Sequence, residues 1–328
     1  MPPLRGHRAV ASSVIRCGEP EADGWAASGA PPDELSLFEI GSITKAFTGV
    51  LLADVTLRGE VALDDQLSRH LPAPHPAWRH REPTLLELAT HRSGLPNTPR
   101  AMGRRELLYA LGFGGDADPW ARVSEAEYGS LVEAESPRRP PGGRMRYSSV
   151  GFGMLGDALA ARAGTAYEEL LRDRVLAPLG MDSTAIAVGE AAPRPLTPRA
   201  AAAADRGLHA DGRQPALERA RHPALPGRVP GASRGRAGRA LGLAQEPHTR
   251  AGRRLEIGLG WIIVSRPKHP RVVWHNGGTW GFRSFAGFAP ERRSAAVVLS
   301  NAARSVDRLG FRLIESSTFG EEDGRPRH

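Results

Sequence analysis

The chain has 328 residues, 40% of them hydrophobic, with 44 basic residues against 36 acidic ones and a single cysteine, Cys17. That length can bury a sizeable core in one large domain or two lobes. No run of 18 apolar residues occurs, so a membrane-spanning helix is excluded, and one cysteine excludes an internal disulfide and a multi-cysteine zinc site.

The net charge of +8 has a local origin. Residues 199–254 hold 12 arginines and four acids (Asp205, Asp211, Glu218, Glu246), which accounts for the whole surplus. The segment has no aromatic to stack a base and no regular amphipathic pattern, so no nucleic-acid partner is expected. Residues 1–8 lack the apolar core of a secretory signal, and as written the chain is expected in the cytoplasm.

In chain order, residues 1–35 are weakly patterned, with a short strand expected near 11–16 and a turn at Pro31-Pro32-Asp33. A helix is predicted from Ser42 through Phe47, Val50, Leu51 and Val55, ending near Gly59. A turn at 60–65 and a proline-rich connection follow. Thr84 opens a capped helix that Gly94 and Pro96 close. Residues 100–136 have weaker helical periodicity. A Pro/Gly-rich loop over 140–149 then delivers Tyr147 just before a helix at 151–162, and another helix ends near 179–182. Residues 188–254 change to alanine, arginine, glycine and proline, and the loss of pattern over 199–254 suggests a disordered insert or a stretch read out of frame. Four strand-like runs follow, at 257–264, 271–275, 282–288 and 295–299, and an amphipathic stretch at 306–314 closes the pattern. Short turns between these strands predict an antiparallel sheet flanked by helices, an α/β (α+β) architecture.

Ser42 and Lys45 stand three apart on the predicted helix and therefore share a face. A serine hydroxyl needs a base to become a nucleophile, and a buried lysine of lowered pKa can be that base. Lysine is rare here: only Lys45 and Lys268 occur among the 44 basic residues. Arginine cannot deprotonate in a protein, so a lysine retained at 45 fits proton transfer. The bland alternative is a helix lysine snorkelling to solvent.

Gly151-Phe152-Gly153-Met154-Leu155-Gly156 matches a dinucleotide fingerprint by letter but follows no buried strand, so close helix packing is the better reading. There is no Gly-x-Ser-x-Gly elbow and no His-Glu-x-x-His pair, and the histidines lack ligand spacing, so no metal is expected. Taken alone, Tyr147 could be a packing aromatic. The Gly277-Gly278 pair after Trp274-His275-Asn276 could be a plain turn, or could let a substrate lie along a strand edge with a backbone N–H at its carbonyl.

Ser42-Ile43-Thr44-Lys45, Tyr147-Ser148-Ser149 and His275-Asn276-Gly277 together resemble the three motifs of the serine β-lactamase and penicillin-binding superfamily. The likeness is greatest to class C β-lactamases and the related D,D-peptidases and esterases. Family-like wording also surrounds them, in Phe38-Glu39-Ile40-Gly41, in Ala89-Thr90-His91-Arg92-Ser93-Gly94-Leu95-Pro96, in Leu176-Ala177-Pro178-Leu179-Gly180-Met181 and in Gly281-Phe282-Arg283-Ser284. The resemblance covers about 36–187 and 257–316. It implies that Ser42 is acylated, that Lys45 and Tyr147 move its proton, and that the N–H groups of Ser42 and Gly278 form an oxyanion hole. It further implies one catalytic domain in two lobes, a sheet lobe (36–59 and 257–316) and an inserted helical lobe (60–256), with no cofactor. The implied partner is a small ester, amide or β-lactam.

Two positions depart from the family pattern. The second motif ends in Ser149 rather than asparagine, which shortens its reach to a substrate amide. The third motif has His275 where class C β-lactamases have lysine, so a permanent cation is replaced by an imidazole. Arg283 is a candidate for the missing charge. The expected activity is hydrolysis of small esters or amides; the alternative is a catalytically impaired relative that acts as a ligand-binding or non-functional protein.

Overall fold

A computed structural model describes residues 9–16, 19–27, 31–32, 36–72, 75–110, 123–137, 139–186, 219–221, 235–279 and 281–316. The main sheet has eight strands, all paired antiparallel, in the order β2-β1-β11-β10-β9-β8-β7-β6. In sequence these are β1 (Ala9–Arg16), β2 (Glu19–Ala26), β6 (Thr249–Arg250), β7 (Leu255–Ile257), β8 (Ile262–Val264), β9 (Val272–Gly278), β10 (Arg283–Ala289) and β11 (Ser294–Ser300). A second sheet of three short strands pairs β3 (Leu37–Glu39) with β5 (Arg219–Arg221) and β5 with β4 (Thr184–Ala185).

Strand alternation sorts side chains onto two faces. On one, Val10, Val14, Val272, Phe285, Ala296 and Val298 pack under Leu313 and Ile314 of the last helix, α8 (Asp307–Glu315). Trp274 stacks on Phe285 there, at 5.8 Å between ring centroids. On the other face, Ile15, Ile263, Val273 and Phe288 form one buried group, and Ala11, Leu299, Phe282, Ile40 and Ile43 another. Along β9 the period of two therefore sends Asn276 to the α8 side, where its amide donates to Asp307 Oδ2 at 2.9 Å, and His275 to the opposite side.

The helix that follows Ser42, α1 (Thr44–Leu57), is buried on nearly every side. It sits between the sheet and the remaining helices, α2 (Leu85–Ala89), α3 (Arg100–Ala110), α4 (Glu125–Glu133), α5 (Ser149–Ala163), α6 (Tyr167–Leu171) and α7 (Arg236–Gln245), so a helix apolar all round is expected. Glycines permit its close packing: a Cβ at Gly49 would lie 1.8 Å from the Leu259 carbonyl oxygen, and one at Gly260 would lie 2.1 Å from that of Lys45. In α5, Gly156 lies against the Tyr167 ring, so the glycine-rich fingerprint serves helix packing.

Several sequence expectations are corrected. The sheet draws on β1, β2, β6 and β7, all wholly or partly outside the 36–59 and 257–316 limits. Within the stretch expected to be irregular, α7 buries Ala240 and Ala244, and Ala244 accepts the Leu259 N–H at 2.8 Å. Its small apolar residues suit close packing, which arginine-rich composition obscured. The run 257–264 is a hairpin rather than one strand, because Gly258 and Gly260 turn the chain between β7 and β8. Helix α2 ends at Ala89, before Gly94, because His91 takes a positive φ of 57°. Cys17, Asp33 and residues 1–8, 199–218 and 222–234 lie outside the described residues.

Candidate active site

Ser42 lies in a 3-10 turn, Gly41–Ile43, that runs directly into α1. Gly41 has φ +53°, and a Cβ there would meet the backbone of Gly278 at 2.8 Å from N and 2.9 Å from O. A Cβ at Gly277 would lie 1.8 Å from the Ile40 carbonyl oxygen, which also accepts the Ser284 hydroxyl at 2.6 Å. The glycines of the third motif thus let β9 back onto the turn that holds Ser42, and that contact brings the Gly278 backbone beside Gly41-Ser42.

At the start of α1, one turn after Ser42, Lys45 Nζ donates to Ser42 Oγ at 3.3 Å. Lys45 is 2% exposed, and burial pushes its ammonium down to about 7. Aromatic faces surround the amine, with Nζ 5.1 Å from the Tyr147 ring centroid and 5.8 Å from that of Phe152. The reading of Lys45 as a snorkelling helix lysine is therefore wrong.

Tyr147 arrives on the loop before α5, and its hydroxyl lies beside the Ser42 side chain. Burial raises its pKa to about 12, the Ser42 contact opposing that rise, so the phenol keeps its proton at neutral pH. Ser148 N-caps α5, its Oγ accepting from Gly151 N at 2.9 Å, which fixes where the loop ends.

His275 is 1% exposed and joins the same group of rings, 6.2 Å from Tyr147. Burial, followed by the charge of Lys45, pushes its imidazole down to about 4. Its Nδ1 bonds the Asn276 carbonyl at 2.5 Å and so must carry the ring proton of the neutral form, leaving Nε2 a bare acceptor. That Nε2 has no partner among the described residues.

Ser149 and Arg283 are each hydrogen-bonded within the protein. The Ser149 hydroxyl donates to Asn97 Oδ1 at 2.9 Å, and its backbone N–H reaches the same oxygen at 3.2 Å. Arg283 folds over Gly278, and its Nη1 donates to the carbonyls of Thr279 at 2.6 Å and Phe282 at 2.8 Å. Its guanidinium is thus engaged with its own turn. Burial lowers its pKa, and Asp307 opposes that shift.

Sequence reasoning missed His91, Asn97 and Gly41. His91 is 3% exposed, and its ring lies 4.4 Å from Tyr147 and 4.9 Å from Phe152. Burial, then the charges of Lys45 and His275, hold it well below the usual histidine range. All three lie within stretches of family-like wording or next to one, which is the only signal that could have drawn attention to them. Among the described residues no cluster of three histidine, cysteine or acidic side chains could hold a metal, and no helix is long and apolar enough to cross a membrane.

A buried lysine beside the serine that precedes a central helix is faced by a tyrosine and a strand-borne histidine, on an antiparallel sheet with helices. The chain belongs to the Beta-lactamase family, whose model matches residues 4–316. It is 32% identical over 152 residues to the D-alanyl-D-alanine-carboxypeptidase/endopeptidase AmpH of Escherichia coli K12, a match of 45% of this chain and 36% of that one. To a β-lactamase of the same organism it is 28% identical over 183 residues, 55% of this chain and 44% of that one. These matches thus span less than half the length of those curated relatives.

Among solved structures, the octameric penicillin-binding protein homologue from Pyrococcus abyssi aligns with 93% of this chain and 72% of its own. The TM-score is 0.75 at 18% identity. The β-lactamase/D-alanine carboxypeptidase from Yersinia pestis, complexed with citrate, aligns with 94% of each chain at TM-score 0.71 and 21% identity. Both likenesses are of fold.

Proposed function

We propose that this protein hydrolyses small esters or amides through an acyl-enzyme on Ser42. The observation that carries the reading is the 3.3 Å contact between Ser42 Oγ and the amine of Lys45, buried and pushed down to about 7. Near neutral pH about half of such amines are neutral and can take the serine proton, placing the base close to its operating pH. Ser42 Oγ then attacks the carbonyl carbon, and the N–H groups of Ser42 and Gly278 receive the oxyanion. Tyr147, still a phenol, passes a proton to the leaving group and regains one from Lys45. Water repeats the sequence on the acyl-enzyme, and the acid leaves with Ser42 restored.

His275 and Arg283 support a preference among substrates. A neutral imidazole presenting a bare Nε2 accepts a hydrogen bond and does not hold a carboxylate. Arg283 already satisfies two carbonyls of its own turn. Short acyl esters, which need neither a cation at the third motif nor an asparagine at the end of the second, suit this site better than cephalosporins. A charge-assisted contact contributes about 1.5–3 kcal/mol, so lacking one lowers turnover efficiency by roughly tenfold or more.

The test is a paired assay with p-nitrophenyl acetate and nitrocefin, with mass mapping of the residue labelled by a fluorophosphonate. The expected result is a label on Ser42 and faster ester turnover. A label on another serine removes the nucleophile assignment, and efficient nitrocefin turnover without esterase activity reverses the substrate ranking.

A further inference from the structure

Tyr147 is held from both sides by one residue. The Arg146 N–H donates to the His91 carbonyl at 2.8 Å, and the Ser148 N–H donates to His91 Nδ1 at 3.1 Å. These are the peptide N–H groups on either side of Tyr147. Between them the imidazole lies 4.4 Å from the Tyr147 ring at an interplanar angle of 36°. Its other close aromatic neighbour is Phe152, at 4.9 Å.

The backbone at His91 is bent to make this possible. Its φ of 57° lies in the left-handed region, which glycine adopts most readily and which asparagine, aspartate and histidine adopt more often than other residues. The bend closes α2 with the Arg92 N–H on the Glu87 carbonyl at 2.7 Å, and it leaves the carbonyl and ring of His91 facing the same loop. Glycine would adopt this conformation at no steric cost but would bring no ring acceptor. A side chain at a left-handed position, with both its carbonyl and its ring nitrogen used on the residues flanking Tyr147, indicates a placing role.

We propose that His91 is the positioning residue for Tyr147, acting as a two-point clamp that sets the phenol on Ser42. The inference rests on the catalytic reading of Tyr147 above. Nδ1 can accept from Ser148 only in the neutral Nε2-protonated form, and deep burial beside Lys45 favours that form. Hydroxyl placement in such a site is demanding, since a displacement of about 1 Å can lower a rate by about a hundredfold.

The test compares His91→Asn with His91→Leu, which are similar in size. Asparagine tolerates the left-handed backbone and offers a carboxamide oxygen near the place of Nδ1, whereas leucine offers no acceptor. Thermal unfolding confirms that each variant is folded; if His91→Leu does not fold, His91→Gly, free at this φ, takes its place. For p-nitrophenyl acetate, the variant without an acceptor is expected to lose about 10- to 100-fold in kcat with KM within about threefold, and His91→Asn to recover most of it.

A double-mutant cycle with Tyr147→Phe separates positioning from general damage. If His91 acts through the phenol, removing its acceptor costs little more once the hydroxyl is gone. Equal activities for His91→Asn and His91→Leu, or an undiminished loss in the Tyr147→Phe background, overturn the inference. A harmless Tyr147→Phe brings down the catalytic reading of Tyr147 and this inference with it. A crippling Tyr147→Phe beside a harmless His91→Leu brings down the inference alone.

Discussion

The Ser284 hydroxyl donates to the Ile40 carbonyl at 2.6 Å, joining β10 to the turn that carries Ser42 across 244 positions of sequence. The same carbonyl oxygen excludes any side chain at Gly277, where a Cβ would lie 1.8 Å away. Gly277→Ala should therefore push β9 off the Ser42 turn and displace the Gly278 N–H. Overpacking of this kind costs about 1–3 kcal/mol of stability. Ester turnover should fall by about a hundredfold or more. Gly278→Ala, which meets only the Arg283 side chain at 3.0 Å or beyond, should be the milder change in unfolding and in turnover.

Lys45 should be costly to stability and necessary for activity. Its pKa falls from 10.5 to about 7 on folding, so the unfolded chain binds more protons between those values. Stability should accordingly rise with pH across that window, and the penalty, about 5 kcal/mol from the size of the shift, is fully present below pH 7. Lys45→Met should abolish ester hydrolysis, raise Tm at pH 6 and flatten the rise above pH 7. Lys45→Arg should also be inactive, because the guanidinium cannot deprotonate, and should be less stable than Lys45→Met. Calorimetry at pH 6, 7.5 and 9 beside an esterase assay measures both effects.

The pH–rate profile follows from the same lysine. The kcat/KM for a p-nitrophenyl ester should rise with pH to a plateau, with a midpoint near 7 as Lys45 loses its proton. Tyr147, raised to about 12, should add no descending limb below pH 9. A profile flat from pH 5 to 9 would contradict Lys45 as the base.

Acid should destabilise the fold through the buried histidines. His275 moves from 6.5 in the unfolded chain to about 4 when folded, so the unfolded state takes up the extra proton between those values. The contribution of His275 is complete above pH 6.5 and should fall by about 3 kcal/mol on the way to pH 4. His91, lowered in the same direction, adds to the loss. Urea unfolding at pH 7, 5.5 and 4.5 should show the decline, and His275→Gln should reduce it.

How much was legible in the sequence depended on the range of the interactions. Ser42 and Lys45 could be paired because three residues along a helix share a face whatever surrounds them. The cap at Thr84 was equally local: its Oγ accepts from Glu87 N at 3.2 Å, and Glu87 answers on the Thr84 N–H at 3.0 Å. Gly164, which closes α5 at φ +67°, is likewise a matter of backbone sterics within a few residues.

Tertiary structure decided the rest, because burial and partners come from distant segments. It made Lys45 a weak base by enclosing it, neutralised His275 by the same burial and the charge of Lys45, and turned the Gly277 position from apparent substrate space into a contact with Ile40. It tied Ser149 to Asn97 and folded Arg283 onto its own turn. His91 shows the limit most clearly. Its sequence neighbours give no reason for its two acceptors to meet the loop around Tyr147, more than 50 positions away; only the left-handed turn after α2 and the packing of α5 bring them together.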